Sequence, residues 1–166
     1  MTRRLDRLCE ALSPGVRVWV PTLSSESELL AGELRADPER ARDVNFIGVQ
    51  FPGIDTIDYL ALHPAARQTA FFMSPAVRRG IAENRASLSA LDYRGVARWL
   101  RSDEAVIDVA IAQLSSPDAD GFCSPGVCAD FMPLAWQRAR RRIAHINPRM
   151  PRTASSFRVP FATIDG

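Results

Sequence analysis

Lysine is absent from this chain, and all 21 of its Lys and Arg positions are arginine. Schiff-base chemistry and a P-loop both need a primary amine at a fixed place, so both are excluded. Histidine is scarce too, with only His63 and His145. The cysteines are Cys9, Cys123 and Cys128. An odd and scattered set points to reduced thiols and a cytoplasmic location. Neither Cys123 nor Cys128 has soft ligands around it at zinc-site spacing, so no metal or other cofactor is expected and the thiols read as inert. No apolar run is long enough to span a membrane, and the start, MTRRLDRLCEAL, lacks the apolar stretch of a secretory signal. A dinucleotide-binding glycine fingerprint, a Walker A motif and a metalloprotease helix are all missing. The net charge of +2 is too small to imply nucleic acid from composition. Neither nucleic acid nor membrane is expected as a partner.

What is present is an ordinary globular composition. Hydrophobic residues make up 46% of 166 residues and charged residues 24%, which suits one domain over 1–166 with a substantial core. Leu5, Leu8, Cys9 and Leu12 recur at helical spacing, predicting a short amphipathic helix over 3–12. Val16–Val20 predicts a first strand. Ser25 with Glu28 forms a capping-box pattern for a helix to about Arg35, and Glu26 reads as part of that cap. Further strands are expected at Val44–Gln50, Gln68–Met73 and Ser87–Leu91. Ser74-Pro75 should open a helix reaching about Glu83, and Val96, Ala97, Trp99 and Leu100 mark another.

The most informative stretch is VIDVAIAQLSSPDADGFCSPG, Val106–Gly126. Its apolar half suits a strand buried on both faces of a parallel sheet. The composition then flips to Ser115-Ser116-Pro117-Asp118-Ala119-Asp120-Gly121, a tight polar turn. In open α/β sheets ligands bind at the carboxyl ends of strands, so this loop should border any site. Short β-like pieces at 122–124 and 127–129 follow. Asp130 should cap a helix from Phe131 to Arg141, Ile143–Ile146 should be a last inner strand, and Asn147–Thr153 a proline-stiffened loop. Phe157–Ile164 reads as an extended tail. Strands alternating with helices predict an α/β fold with a mainly parallel open sheet flanked by helices. Asp118 and Asp120 read as turn formers before acid–base catalysts. His145 reads as a core histidine. Arg138, Arg140, Arg141 and Arg142 read as a solvated basic face that could also meet phosphates, including those of coenzyme A.

DVAIAQLSSPDADGFCSPG resembles the acetyl-CoA hydrolase/transferase family, which includes 4-hydroxybutyrate and succinyl-CoA:acetate CoA-transferases. Pro117, Asp118, Gly121, Phe122, Ser124 and Gly126 match the family series in order. Asn147 with Met150-Pro151-Arg152-Thr153 is a second match, and Thr69-Ala70-Phe71-Phe72 followed by Arg78 or Arg79 a third. After the first strand, Ser24-Ser25-Glu26-Ser27 stands where the family carries a Gly-Glu-Pro turn. The resemblance implies a CoA-transferase-like domain, akin in fold to sugar-phosphate isomerases, and covers only the family's N-terminal half. It also implies that the catalytic glutamate, which attacks the acyl-CoA thioester, comes from a C-terminal domain or subunit. None of the glutamates here sits in a matching Gly-rich segment, so this chain by itself is expected to be inactive. The expected function is CoA movement between an acyl-CoA thioester and an acetate-type carboxylic acid, both substrates, in a complex that could be homo-oligomeric. Strand-end placement singles out Gln113, Ser115, Ser116, Asp118, Gly121, Ser124, Gly126 and Asn147 as cleft-lining. The alternatives are a non-catalytic truncated paralogue acting as a binding or scaffold module, and a stand-alone sugar-phosphate-binding domain.

Overall fold

The computed structural model describes residues 5–154 and 157–166. Strands β1 (Arg17–Trp19), β2 (Asn45–Gly48), β3 (Arg67–Ala70), β4 (Ala86–Leu88), β5 (Val109–Leu114) and β7 (Arg141–Ile146) form one six-stranded sheet. Their order is β4-β3-β2-β1-β5-β7, and every pairing in it is parallel. Strands β6 (Phe122–Cys123) and β8 (Val159–Pro160) make a separate antiparallel pair. The chain winds outward from β1 to β4, then returns to the other side of β1 with β5. The direction of winding therefore reverses between β1 and β5, which opens a crevice at their carboxyl ends.

Side chains alternate along the strands, so neighbouring residues enter different cores. Val18, Phe46, Val109, Ile111 and Ile143 pack on one face with Leu30, Ala31 and Leu34 of helix α1 (Glu28–Ala36). Trp19, Ile47, Ala110, Ala112 and Leu114 pack on the other. There they meet Val96 and Leu100 of α3 (Tyr93–Arg101) and Ala135 and Trp136 of α4 (Met132–Arg138). Helix α2 (Pro75–Ala82) covers β3 and β4. Burial on both faces explains why β5 is apolar almost throughout, each large side chain contributing about 1.5–3 kcal/mol.

Several local expectations are met. Ser74 Oγ accepts from Val77 N with Pro75 opening α2, and Asp92 caps α3 in the same way. Others are corrected. Only Leu8–Ala11 coil, as a 3-10 turn, while residues 3 and 4 of the expected helix lie outside the described residues. The Glu33 carboxylate accepts Cys9 N, a donor that an α-helix would have used internally. Helix α1 is capped by Ser27, not Ser25, because the Ser25 hydroxyl donates to Cys128 O at 2.7 Å. That bond, with Gly126 at φ +72°, keeps residues 127–129 out of any strand. Asp130 does not cap α4. It sits at φ +41°, Phe131 takes the N-cap position of α4 without a side-chain bond, and the helix ends at Arg138. Strand β7 lies at the sheet edge rather than inside, where Asp165 and Gly166 bond to Arg142 and Ala144.

Candidate functional site

All six parallel strands deliver their carboxyl ends to one side of the sheet, and the loops that follow β1, β2 and β5 meet there. The loop after β1 is fixed from several directions. Leu23 adopts φ +56°, a region disfavoured for a side chain of its size. Its N–H donates to Asp55 Oδ1 at 2.6 Å, while Asp55 Oδ2 accepts from Phe51 N at 2.5 Å. Asp55 thus joins the loops after β1 and β2. Thr22 Oγ1 donates to Asp130 Oδ2 at 3.4 Å, tying the same loop to the segment before α4. Glu26 accepts from Thr56 N, Thr56 Oγ1 and Ile57 N at 2.8–3.0 Å. It therefore anchors a loop and does not act as a helix cap.

Gln113 and Asn147 hold the loop from beneath. Gln113 Nε2 donates to Ser25 O at 3.2 Å and Glu26 O at 3.1 Å. Its Oε1 accepts from Asn147 Nδ2 at 2.7 Å. These bonds fix the amide orientation, with no freedom to flip. The side chain can reach the loop because β5 and β7 pair in register, Gln113 opposite His145, on the α1 face of the sheet. Of the expected site residues, Gln113 borders the small opening between β1 and β5, beside Thr22, Ser25, Cys128, Asp130 and Met132. The space there is ≈ 10 Å³, about that of one water.

The remaining expected residues form a polar web next to this opening. Ser115 and Ser124 are buried. Ser115 Oγ donates to Ser116 O and accepts from Ser124 N, and Ser124 Oγ accepts from Gly126 N and Thr153 N. Asp118 Oδ1 accepts from Phe122 N at 2.8 Å, and its other oxygen receives Arg152 at 3.1 Å and Arg158 at 2.9 Å. Arg158 also lies 4.2 Å from the Phe122 ring centroid. Gly121 and Gly126 are in the left-handed region, and a Cβ on Gly126 would overlap the Met150 sulfur. The two sequence motifs, 115–126 and 147–153, are therefore one hydrogen-bonded unit.

The carboxyl groups fall into two electrostatic classes. The Phe122 N–H, followed by Arg158 and Arg152, holds Asp118 below the usual carboxylate range. Asp55 and Asp130 lie above it, chiefly because burial disfavours their charge. Neighbouring acids add to that, Glu26 for Asp55 and Asp55 for Asp130. Burial also pushes the Cys128 thiol up. His145 is lowered by burial, and its Nδ1 lies 3.2 Å from Ser27 Oγ. His63 bonds Glu39, so neither histidine addresses a thiol. Among the described residues no cluster of His, Cys, Asp and Glu could hold a metal ion, and no helix is long and apolar enough to cross a membrane. The arginines of 138–142 lie at the amino end of β7, away from the crevice. Arg138 bonds Asp103 and Arg140 pairs with Asp108.

Asp55 and Asp130 were not among the residues that sequence reasoning selected. Asp55 follows the Phe51-Pro52-Gly53 turn in a stretch with no periodic pattern, and Asp130 resembled a helix cap. Leu23 and Asp130, two of the four described non-glycine residues at positive φ, lie in segments that the Thr22–Asp130 bond ties together, a pairing that only the tertiary structure sets.

Comparison with known proteins supports the same placement. The acetyl-CoA hydrolase/transferase N-terminal domain family matches residues 34–162. A 4-hydroxybutyrate coenzyme A transferase of Clostridium kluyveri is 31% identical over 60% of this chain and 23% of its own length. A succinyl-CoA:acetate/propanoyl-CoA:succinate CoA transferase of Fasciola hepatica is 28% identical over 59% of this chain and 20% of its own. These matches span about a quarter of the relatives' lengths or less. RipA from Yersinia pestis shares the fold with a TM-score of 0.77 at 22% identity, over 95% of this chain and 40% of that one. The strand-end motifs, the crevice they border and the match over 34–162 together place this chain in the acetyl-CoA hydrolase/transferase family, as its N-terminal domain.

Proposed function

We propose that this chain forms one wall of an acyl-CoA site and takes part in moving CoA between a thioester and a small carboxylic acid. The carboxylate nucleophile would come from a C-terminal-type domain or subunit closing over the crevice. That carboxylate attacks the thioester carbonyl and expels the CoA thiolate, leaving an acyl anhydride. The thiolate then displaces the original acid and forms a thioester on the nucleophile. An incoming carboxylate reverses both steps and leaves as the new acyl-CoA. CoA is a substrate here, and no resident cofactor is invoked.

The observation that carries this reading is the braced loop Thr22–Ser27 at the β1/β5 reversal. Gln113, near the end of β5, and Asn147, of the second motif, support it. A pre-organised loop pays no reorganisation when a transition state forms. Glu26, the glutamate of that loop, is committed to Thr56 and Ile57, which supports a nucleophile from elsewhere. A phosphosugar fits less well, since the opening between β1 and β5 is bordered by Asp130 and, among the described residues, by no arginine.

The test is native mass spectrometry on the protein purified from its host, followed by an acyl-CoA:carboxylate transfer assay. A stoichiometric second α/β unit with a Gly-flanked glutamate, and transfer by that complex, are the expected results. A chain that purifies alone, or a complex without turnover, overturns the enzymatic reading in favour of a binding module.

A further inference from the structure

Away from the crevice, where the end of α4 meets the start of β7, lies a cavity of ≈ 230 Å³. Trp136, Phe157, Val159 and Pro160 give it an apolar wall, and Arg142, Arg158, Gln137 and Thr163 complete its border. Trp136 and Val159 are 5% and 1% exposed and belong to the main core, so this side of the wall is firmly packed. Among the described residues no acid borders the cavity.

The charge of the site comes from Arg142. Its Nε donates to the Trp136 carbonyl at 2.8 Å, which fixes the guanidinium beside the indole. Nη1 and Nη2 have no partner among the described residues. Asp165 Oδ2 accepts the Arg142 backbone N–H at 2.7 Å and forms no ion pair with the guanidinium. The other partly buried arginines among the described residues, Arg7, Arg17, Arg40, Arg85 and Arg138, each pair with a carboxylate. Arg142 is the exception, and it is the one that borders a cavity. A guanidinium partly withdrawn from water and left unpaired is unfavourable, and an anion that meets it recovers that cost. Arg158, the other cation of the wall, is already committed to Asp118 at 2.9 Å and to the Phe122 ring. The cavity therefore offers one unpaired positive charge next to packed aromatic and aliphatic surface.

We propose that this cavity binds a small carboxylate carried on a compact apolar body, at a site separate from the crevice and independent of the acyl-CoA reading. The carboxylate accepts from Arg142 Nη1 and Nη2, a bidentate, charge-assisted pairing that suits the planar fork. The apolar body lies against Trp136, Phe157 and Val159. A phosphate dianion is the poorer match, because only one cation is unpaired. Binding also bears on the β5 loop, since Val159 pairs with Cys123 and Arg158 holds Asp118.

The test titrates the full chain with benzoate, benzyl alcohol, acetate and inorganic phosphate by calorimetry, with the tryptophan indole N–H resonances followed by NMR. Benzoate should bind and shift the Trp136 indole, leaving that of Trp19, which borders the crevice, in place. Benzyl alcohol keeps the ring without the charge and acetate the charge without the ring, and each should bind about ten-fold more weakly than benzoate, as should phosphate. Arg142→Gln should weaken benzoate about ten-fold or more, the worth of hydrogen bonds to a charged group. Arg142→Lys, which restores the charge without the fork, should recover part of that loss. Thr163→Phe, at an exposed position of the wall, should fill the cavity and weaken benzoate with Arg142 intact, and it serves if the Arg142 variants unfold. No binding of benzoate, equal binding of benzyl alcohol, tighter binding of phosphate, shifts at Trp19 in place of Trp136, or unchanged benzoate affinity in folded Arg142→Gln overturns the proposal.

Discussion

Two carboxylate-centred regions lie side by side at the carboxyl edge of the sheet, and they are built on opposite principles. Around Asp118, exposed charge is matched by Arg152, Arg158 and the Phe122 N–H, and the group is easier to ionise than a free aspartate. Asp55 and Asp130 are half-buried near one another, Asp55 also near Glu26, and both are harder to ionise. The first arrangement strengthens the fold at neutral pH. The second works against it, and Leu23 and Asp130 in the same region adopt positive φ. Strain and unfavourable charge kept together in a crevice support the proposal that ligand binds there. The matched residues from Pro117 to Gly126 thus occupy the scaffold region, while the crevice is bordered by Gln113 and by Asp130, which no motif marks.

Breaking the scaffold region should have the largest effect. Gly126→Val places a branched side chain at φ +72° against Met150 and should destabilise the chain by about 3 kcal/mol in chemical denaturation. Acidification separates the two regions by sign. Asp118 has a lowered folded pKa, so its stabilisation is present above the unfolded value of about 4 and is lost as pH falls through the folded one. Asp118→Asn should therefore lower the melting temperature at pH 7 and flatten its fall between pH 5 and pH 2. Asp130 has a raised folded pKa, so its favourable contribution holds below about pH 4 and is lost as pH rises through the folded value. Asp130→Asn should melt slightly higher than the parent at pH 7, by a few tenths of a kcal/mol after solvent screening, and no differently at pH 3. If Asp130→Asn is instead destabilised at pH 7, the contrast between the regions fails.

The layout of strands and helices was legible because β5 and its neighbours are buried on both faces and the helices are amphipathic. Polar-turn chemistry around Pro117, Asp118 and Gly121 marked where β5 ends. The misreadings share one cause, a tertiary partner competing for a local group. The Cys128 carbonyl takes the Ser25 hydroxyl that a capping box would use, Glu33 takes the Cys9 N–H, and Thr22 meets Asp130 where a helix cap was expected.

The sequence by itself determined the parallel α/β architecture and the place where the β5 loop begins, since each depends on periodicity or on short-range turn chemistry, and its motifs carried the family resemblance. The tertiary structure alone decided which residues line the crevice. The Leu23–Asp55, Thr22–Asp130 and Gln113–Asn147 contacts join residues 32, 108 and 34 positions apart. No local pattern encodes such pairings, because they exist only once the sheet has brought the strand ends together.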